Sequence, residues 1–132
     1  MEATEIRRAL AALLDDSGAD WREAAGCLCF RLRRGGALLE LACRPLDGRL
    51  LVYGRYPFPA GDRQRALARC SEVNGRVLQG AMFLDGGRVV FRTEAALPDD
   101  YEAPLRMQEA IAYNADVLLH FWGRLAPDGA NL

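Results

Sequence analysis

The run CLCFRLRRGGALLELACRPLDGRLLVYGRY, residues 27–56, decides the fold class. In Cys27–Arg33, Leu28, Phe30 and Leu32 alternate with Cys29, Arg31 and Arg33, the period of a half-buried strand. Arg34-Gly35-Gly36 is a tight-turn signal, and Ala37–Arg44 resumes the alternation, with Leu39, Leu41 and Cys43 against Leu38, Glu40 and Ala42. Pro45-Leu46-Asp47-Gly48 turns the chain into a third strand, Leu50–Tyr56. Two prolines in Pro57-Phe58-Pro59 then remove ladder donors and end the pairing. Short connections of this kind join antiparallel neighbours, so the run predicts a three-stranded meander.

Helical periods flank it. Upstream, Ile6, Leu10 and Leu13 share one face of a helix over Glu2–Leu14, stopped by Asp15-Asp16-Ser17-Gly18. Residues 17–26 read as a connector, because Gly26 follows the capping-box pair Asp20/Glu23 too soon for a helix. Downstream, Asp62 is a good N-cap for a helix carrying Ala66, Leu67, Cys70 and Val73, weakened at Asn74-Gly75. A second hairpin follows, Ala81–Asp85 and Arg88–Ala95 around Gly86-Gly87. The last helix is expected to start near Asp99-Asp100, with Pro104 in its first turn and Met107, Ile111, Leu118, Phe121 and Leu125 as its apolar stripe. Pro127-Asp128-Gly129 closes the pattern, and the remaining tail reads as frayed. The predicted order is α-βββ-α-ββ-α. That is an α+β architecture: a largely antiparallel five-stranded sheet with helices packed mainly on one face. A chain of 132 residues fits a single domain, 1–132.

Composition narrows the function classes. Seventeen basic residues stand against eighteen acidic ones, which disfavours a non-specific nucleic-acid binder with a basic surface. Every basic residue is Arg, so Schiff-base chemistry and P-loop phosphate binding are excluded. The acidic start Met1–Glu5 lacks the basic region of a signal peptide, and no apolar run approaches the ~20 residues of a membrane span. A cytoplasmic location with reduced cysteines is expected.

The candidate chemical constellations have bland counterparts. Cys27 and Cys29 share a strand face, with Cys43 on the next strand and Cys70 on a helix. Convergent thiolates would suit zinc, but no C-x2-C knuckle is present, and free cysteines commonly serve as small core hydrophobes. His120 lies four residues after Asp116, a pair as suited to helix electrostatics as to general-base catalysis, and neither Ser sits in a nucleophile-elbow setting. Asp15-Asp16 and Asp99-Asp100 fall at helix ends. No catalytic residue, metal ligand or cofactor is assigned.

The sheet face turned away from the helices is more informative. With Leu28, Phe30, Leu32, Leu39, Leu41, Met82, Leu84, Val89 and Phe91 inward, the other face carries Cys29 and Glu40 together with Arg31, Leu38, Leu51, Tyr53, Arg55, Phe83, Val90 and Arg92. These last eight are the candidate partner-binding residues. Solvated antiparallel faces are usually polar, whereas apolar and aromatic residues interleaved with Arg match interface composition. The face reads equally as peptide-binding or as covered, by a helix or by a second subunit. The third strand leaves a choice, since Leu50, Val52 and Tyr56 also form an inward set.

One local pattern carries a resemblance. Asn74 at a helix end, Gly80, Met82-Phe83-Leu84-Asp85, a Gly turn, Val89-Val90-Phe91 and then Ala96-Leu97-Pro98-Asp99-Asp100 before a helix resemble the YbjN-like family. Gly75 after the Asn departs from that pattern, where larger residues are usual. The element order also resembles the fold of type III secretion chaperones of the CesT type. The resemblance implies a small bacterial cytosolic protein that binds other polypeptides, often as a homodimer, without catalysing a reaction. The expectations are a non-enzymatic chaperone-like or adaptor protein with a protein or peptide partner, no nucleic acid and no membrane. The alternatives are a cysteine-based metal or thiol-redox module and a sheet that contacts single-stranded RNA.

Overall fold

Helix α1 (Ala3–Asp16) leads into a six-stranded antiparallel sheet: β1 (Arg22–Ala24), β2 (Cys27–Arg34), β3 (Ala37–Leu46), β4 (Arg49–Arg55), β5 (Ala81–Asp85) and β6 (Arg88–Ala96). Helix α2 (Arg63–Asn74) connects β4 to β5, and α3 (Ala103–His120) and α4 (Trp122–Leu125) follow β6. The structure is a computed structural model and describes residues 1–127. Residues 128–132, including Asp128, Gly129 and the expected frayed tail, lie outside the described residues. The strand order β1-β2-β3-β4-β6-β5 leaves the sheet open, with β1 and β5 at its edges.

The sixth strand corrects the expectation of five. Arg22–Ala24 has all three residues exposed and pairs with Cys27–Cys29. A strand this short, with no buried residue, shows no hydrophobic period. Its pairing partner creates it. The positive φ of Ala25 and Gly26 makes the tight reversal into β2.

The helices lie on one face. Ile6, Leu10 and Leu14 of α1 are buried, with Leu13 only half-buried, and α1 packs on β3 and α3. Leu28, Leu39, Leu50, Val52, Met82, Val89 and Phe91 meet the helices from the sheet and are almost fully buried. Burying a side chain of this class contributes about 1.5–3 kcal/mol. The two readings of the third strand prove to be one register: Leu50, Val52 and Tyr56 are fully buried, which turns Leu51, Tyr53 and Arg55 to the other face.

Gly54 explains how closely α3 sits. It lies on the helix-facing side of β4, and a Cβ there would overlap Asn114 Oδ1 and come within 2.6 Å of Leu118 Cδ1. The two N–H groups of the fully buried Asn114 amide are shared among three acceptors, Val52 O at 3.1 Å, Phe91 O at 2.9 Å and Thr93 Oγ1 at 3.0 Å. The missing Cβ lets one polar side chain of α3 bind the neighbouring strands β4 and β6.

The last helix differs from expectation at both ends. It begins at Ala103, because Asp99 takes the Tyr101 N–H in a turn and Glu102 adopts a left-handed conformation. It stops at His120, so Phe121 and Leu125 belong to the joint and to α4 while still entering the core. Tyr56 accounts for the joint: its hydroxyl donates to Leu118 O at 2.7 Å, and its ring packs with Phe58 and Trp122 at centroid distances of 4.9 and 5.6 Å. A carbonyl near a helix C-terminus lacks a helical donor, and the phenol supplies one.

Asn74 and Gly80, which carry the sequence resemblance, act structurally. Asn74 ends α2 as expected; its amide donates to Met82 O at 2.9 Å and accepts from Met82 N at 2.7 Å. The side chain thereby imitates a neighbouring strand at the edge of β5. Gly80 has φ +98°, and a Cβ there would lie 2.6 Å from the Phe91 ring. Only glycine fits both constraints.

Candidate functional site

The face opposite the helices is uncovered among the described residues. Strand alternation sets its members, and the registers run without a bulge from β1 to β5, so residues align in rows across the strands. One row reads Arg22, Cys29, Ala42, Tyr53, Arg92 and Ala81. The next reads Arg31, Glu40, Arg55, Val90 and Phe83. Leu51 lies beside Arg44 and Glu94, and Leu38 beside Arg33.

A trough of about 660 Å³ lies across this face, lined among others by Arg22, Cys27, Cys29, Ala42, Tyr53 and Val90. Its floor is low where the side chains are small. Cys29 and Ala42 occupy adjacent positions on β2 and β3, while Arg31, Glu40 and Arg55 of the next row rise along one side. Tyr53 follows Ala42 in the row and is half-buried, its hydroxyl without a protein partner among the described residues.

Charge is segregated. Arg22 on β1, Arg31 and Arg33 on β2, Arg44 on β3, Arg49 and Arg55 on β4, and Arg88 and Arg92 on β6 all point to this face. Against these eight stand Glu40, Asp85 and Glu94 on the strands and Asp20, which also lines the trough; the rest of the chain holds nine arginines and fourteen acids. Glu40 accepts from Arg55 at 2.7 Å and pairs with Arg88 at 3.4 Å, and Glu94 pairs with Arg49 at 3.3 Å. The other five arginines have no carboxylate within 4.0 Å among the described residues.

All eight sequence-predicted site residues lie on this one face. Arg31, Arg55 and Arg92 are exposed, and Leu38, Leu51, Tyr53 and Phe83 are half-buried. Val90 lines the trough but is only 6% exposed, packed between Arg55 and Phe83, so it offers little contact area. Sequence reasoning missed Arg22, because its strand was read as connector, and Arg44 and Arg88, which continue the outward alternation of β3 and β6. Counting charge by strand parity would have exposed the cationic face that the near-neutral total conceals.

The remaining constellations do not assemble. Cys27 and Cys29 lie on the open face, Cys43 on the helix face and Cys70 on α2; all four are free thiols. Burial pushes the Cys43, Cys27 and Cys70 thiols up, away from the thiolate that would ligate a metal or attack a disulfide; Arg44 offsets this in part at Cys27. Among the described residues no group of three or more His, Cys, Asp and Glu side chains could hold a metal. His120 does not pair with Asp116, whose carboxylate instead accepts from Arg34 Nε at 2.5 Å; the imidazole lies exposed against the Phe121 ring. Among the described residues no helix is long and apolar enough to cross a membrane.

No family profile matches the chain, and no curated protein does. Among solved structures, the chain is similar to the crystal structure of YbjN, a candidate transcription regulator from E. coli. The two are 17% identical, the match covers 91% of this chain and 95% of that one, and the TM-score is 0.65. The antiparallel sheet with its one-sided helices therefore has the YbjN-like fold; the likeness to CesT-type chaperones in particular gains no support from it.

Proposed function

We propose that residues 1–132 form one non-enzymatic, polypeptide-binding domain, an adaptor or chaperone-like protein of the bacterial cytoplasm that holds a partner segment on the open face of its sheet. The observation that carries this reading is a sheet face, crossed by a trough and uncovered among the described residues, on which Tyr53, Phe83, Leu38 and Leu51 stand half-buried among arginines. Rigid aromatic area at low entropic cost, flanked by Arg, is the composition of interface hot spots. No step of bond chemistry is required of the face in this reading.

The edges are less suited to the task. Strand addition needs a free row of backbone groups. At β5 the Met82 N–H and C=O are already held by Asn74, and β1 is three residues long. Contact through side chains on the face is the remaining mode. A second copy docked face to face would set the arginine excess against itself, so the expected homodimer forms through another surface.

A photo-crosslinking amino acid placed at Tyr53 and at Phe83, with one at exposed Leu67 on α2 as control, tests the reading in the host cytoplasm. Polypeptide adducts from positions 53 and 83 and none from 67 support it. Adducts from 67 alone would remove the open face as the binding site.

A further inference from the structure

We infer that the trough selects an extended acidic segment lying across the strands, with two carboxylates about six residues apart and small or apolar residues between them. The inference rests on the polypeptide-binding reading and adds the partner's chemistry and spacing.

The geometry comes from one row. Arg22 stands at one end and Arg92 four strands on, one position before the edge residue Ala81, with Cys29, Ala42 and Tyr53 between them in register. Four inter-strand steps separate the two arginines, about 19 Å at 4.7–4.9 Å per step. An extended chain advances ~3.3 Å per residue, so about six residues cover that span. The low floor at Cys29 and Ala42 leaves room for a chain to lie across it, and Tyr53 presents a ring to an apolar residue near one end. The segment thus places acids over Arg22 and Arg92 and apolar side chains between them.

The sign of charge follows from the arginines without partners. Arg22 and Arg92 have no carboxylate of their own among the described residues, so each has guanidinium donors to offer a ligand. Glu40 shows what this face accepts: a carboxylate held by Arg55 and Arg88. Charge spacing argues against a nucleic-acid backbone. Glu40 and Asp85 line the trough, where a backbone charged at every nucleotide would pass them and a segment with two spaced carboxylates need not. The two aromatic residues are also too scattered for a stacking platform, since Tyr53 on β4 and Phe83 on β5 have β6 between them.

The test uses the full chain and fluorescence anisotropy with four probes. These are a labelled peptide with two glutamates six positions apart and valine and threonine between, the same peptide with the glutamates three apart, the same with arginines in their place, and a fifteen-nucleotide uridine RNA. The first peptide is expected to bind at least tenfold tighter than the other three. Arg22→Glu and Arg92→Glu should each weaken it about tenfold and flatten its salt dependence, with unchanged circular dichroism. Equal binding of both glutamate spacings overturns the row geometry, and tighter binding of the RNA overturns the polypeptide as occupant. If no probe binds while crosslinks from position 53 still capture polypeptides, the acidic preference fails and the proposed function stands. If position 53 also captures none, both fail.

Discussion

Replacing Gly54 with Ala tests how the helix layer is seated on the sheet. The added Cβ would overlap Asn114 Oδ1, with Asn114 Cγ at 3.1 Å and Leu118 Cδ1 at 2.6 Å. Leu118 meets it with the end of a flexible side chain, which can rotate away. Asn114 cannot move without giving up the hydrogen bonds that its two N–H groups make to β4 and β6. Overpacking of this kind costs about 1–3 kcal/mol, and each lost hydrogen bond about 0.5–1.5 kcal/mol. Ala in a strand recovers roughly 0.5 kcal/mol over Gly. The net expectation is a loss of about 2–4 kcal/mol, or on the order of 10 °C in melting temperature for a chain of this size. A double-mutant cycle with Asn114→Ala isolates the cause. In the Asn114→Ala background the new methyl group enters vacated space, so Gly54→Ala should cost far less there, a coupling of at least about 1 kcal/mol. Thermal and urea unfolding of the four proteins measure it. Equal cost of Gly54→Ala in both backgrounds would refute the seating of α3 through Asn114.

Three further outcomes are expected. Asn74→Ala removes both side-chain bonds to Met82 and should lower stability by about 1–2 kcal/mol in urea, with concentration-dependent scattering as the β5 edge opens; an unchanged midpoint and a clear solution would refute the capping role. Burial holds the Cys43 thiol and the Tyr56 phenol protonated in the folded state, so their contribution is present at neutral pH and is lost as pH rises through the ordinary thiol value near 9 and beyond. Cys43→Val should flatten the start of that alkaline decline in urea midpoints; an identical pH profile would count against it. Light scattering at micromolar concentration should give about twice 14.6 kDa, unchanged by Arg92→Glu, and a monomer mass would refute the homodimer.

The strand-by-strand alternation, the hairpin turns and the three long helices are legible in consecutive residues, because a period of 2 or 3.6 is written there. Parity likewise puts Arg31, Tyr53, Arg55, Phe83 and Arg92 on one face once each strand and its inward set are known. Other features depend on contacts between segments far apart in the chain and emerge only in the folded molecule. Arg22–Ala24 becomes a strand through pairing with Cys27–Cys29 and has no apolar pattern of its own. The break after His120 answers to Tyr56, sixty-two positions before the Leu118 carbonyl it binds. Asp116 faces Arg34 across a helix–sheet contact, and local spacing had pointed to His120. The trough is the clearest case. Its floor needs Cys29 and Ala42 side by side, and the row that crosses it brings Arg22 and Arg92 into line. Composition averages charge over the whole chain, whereas the fold sorts it between two faces, and a partner meets the local field of one face.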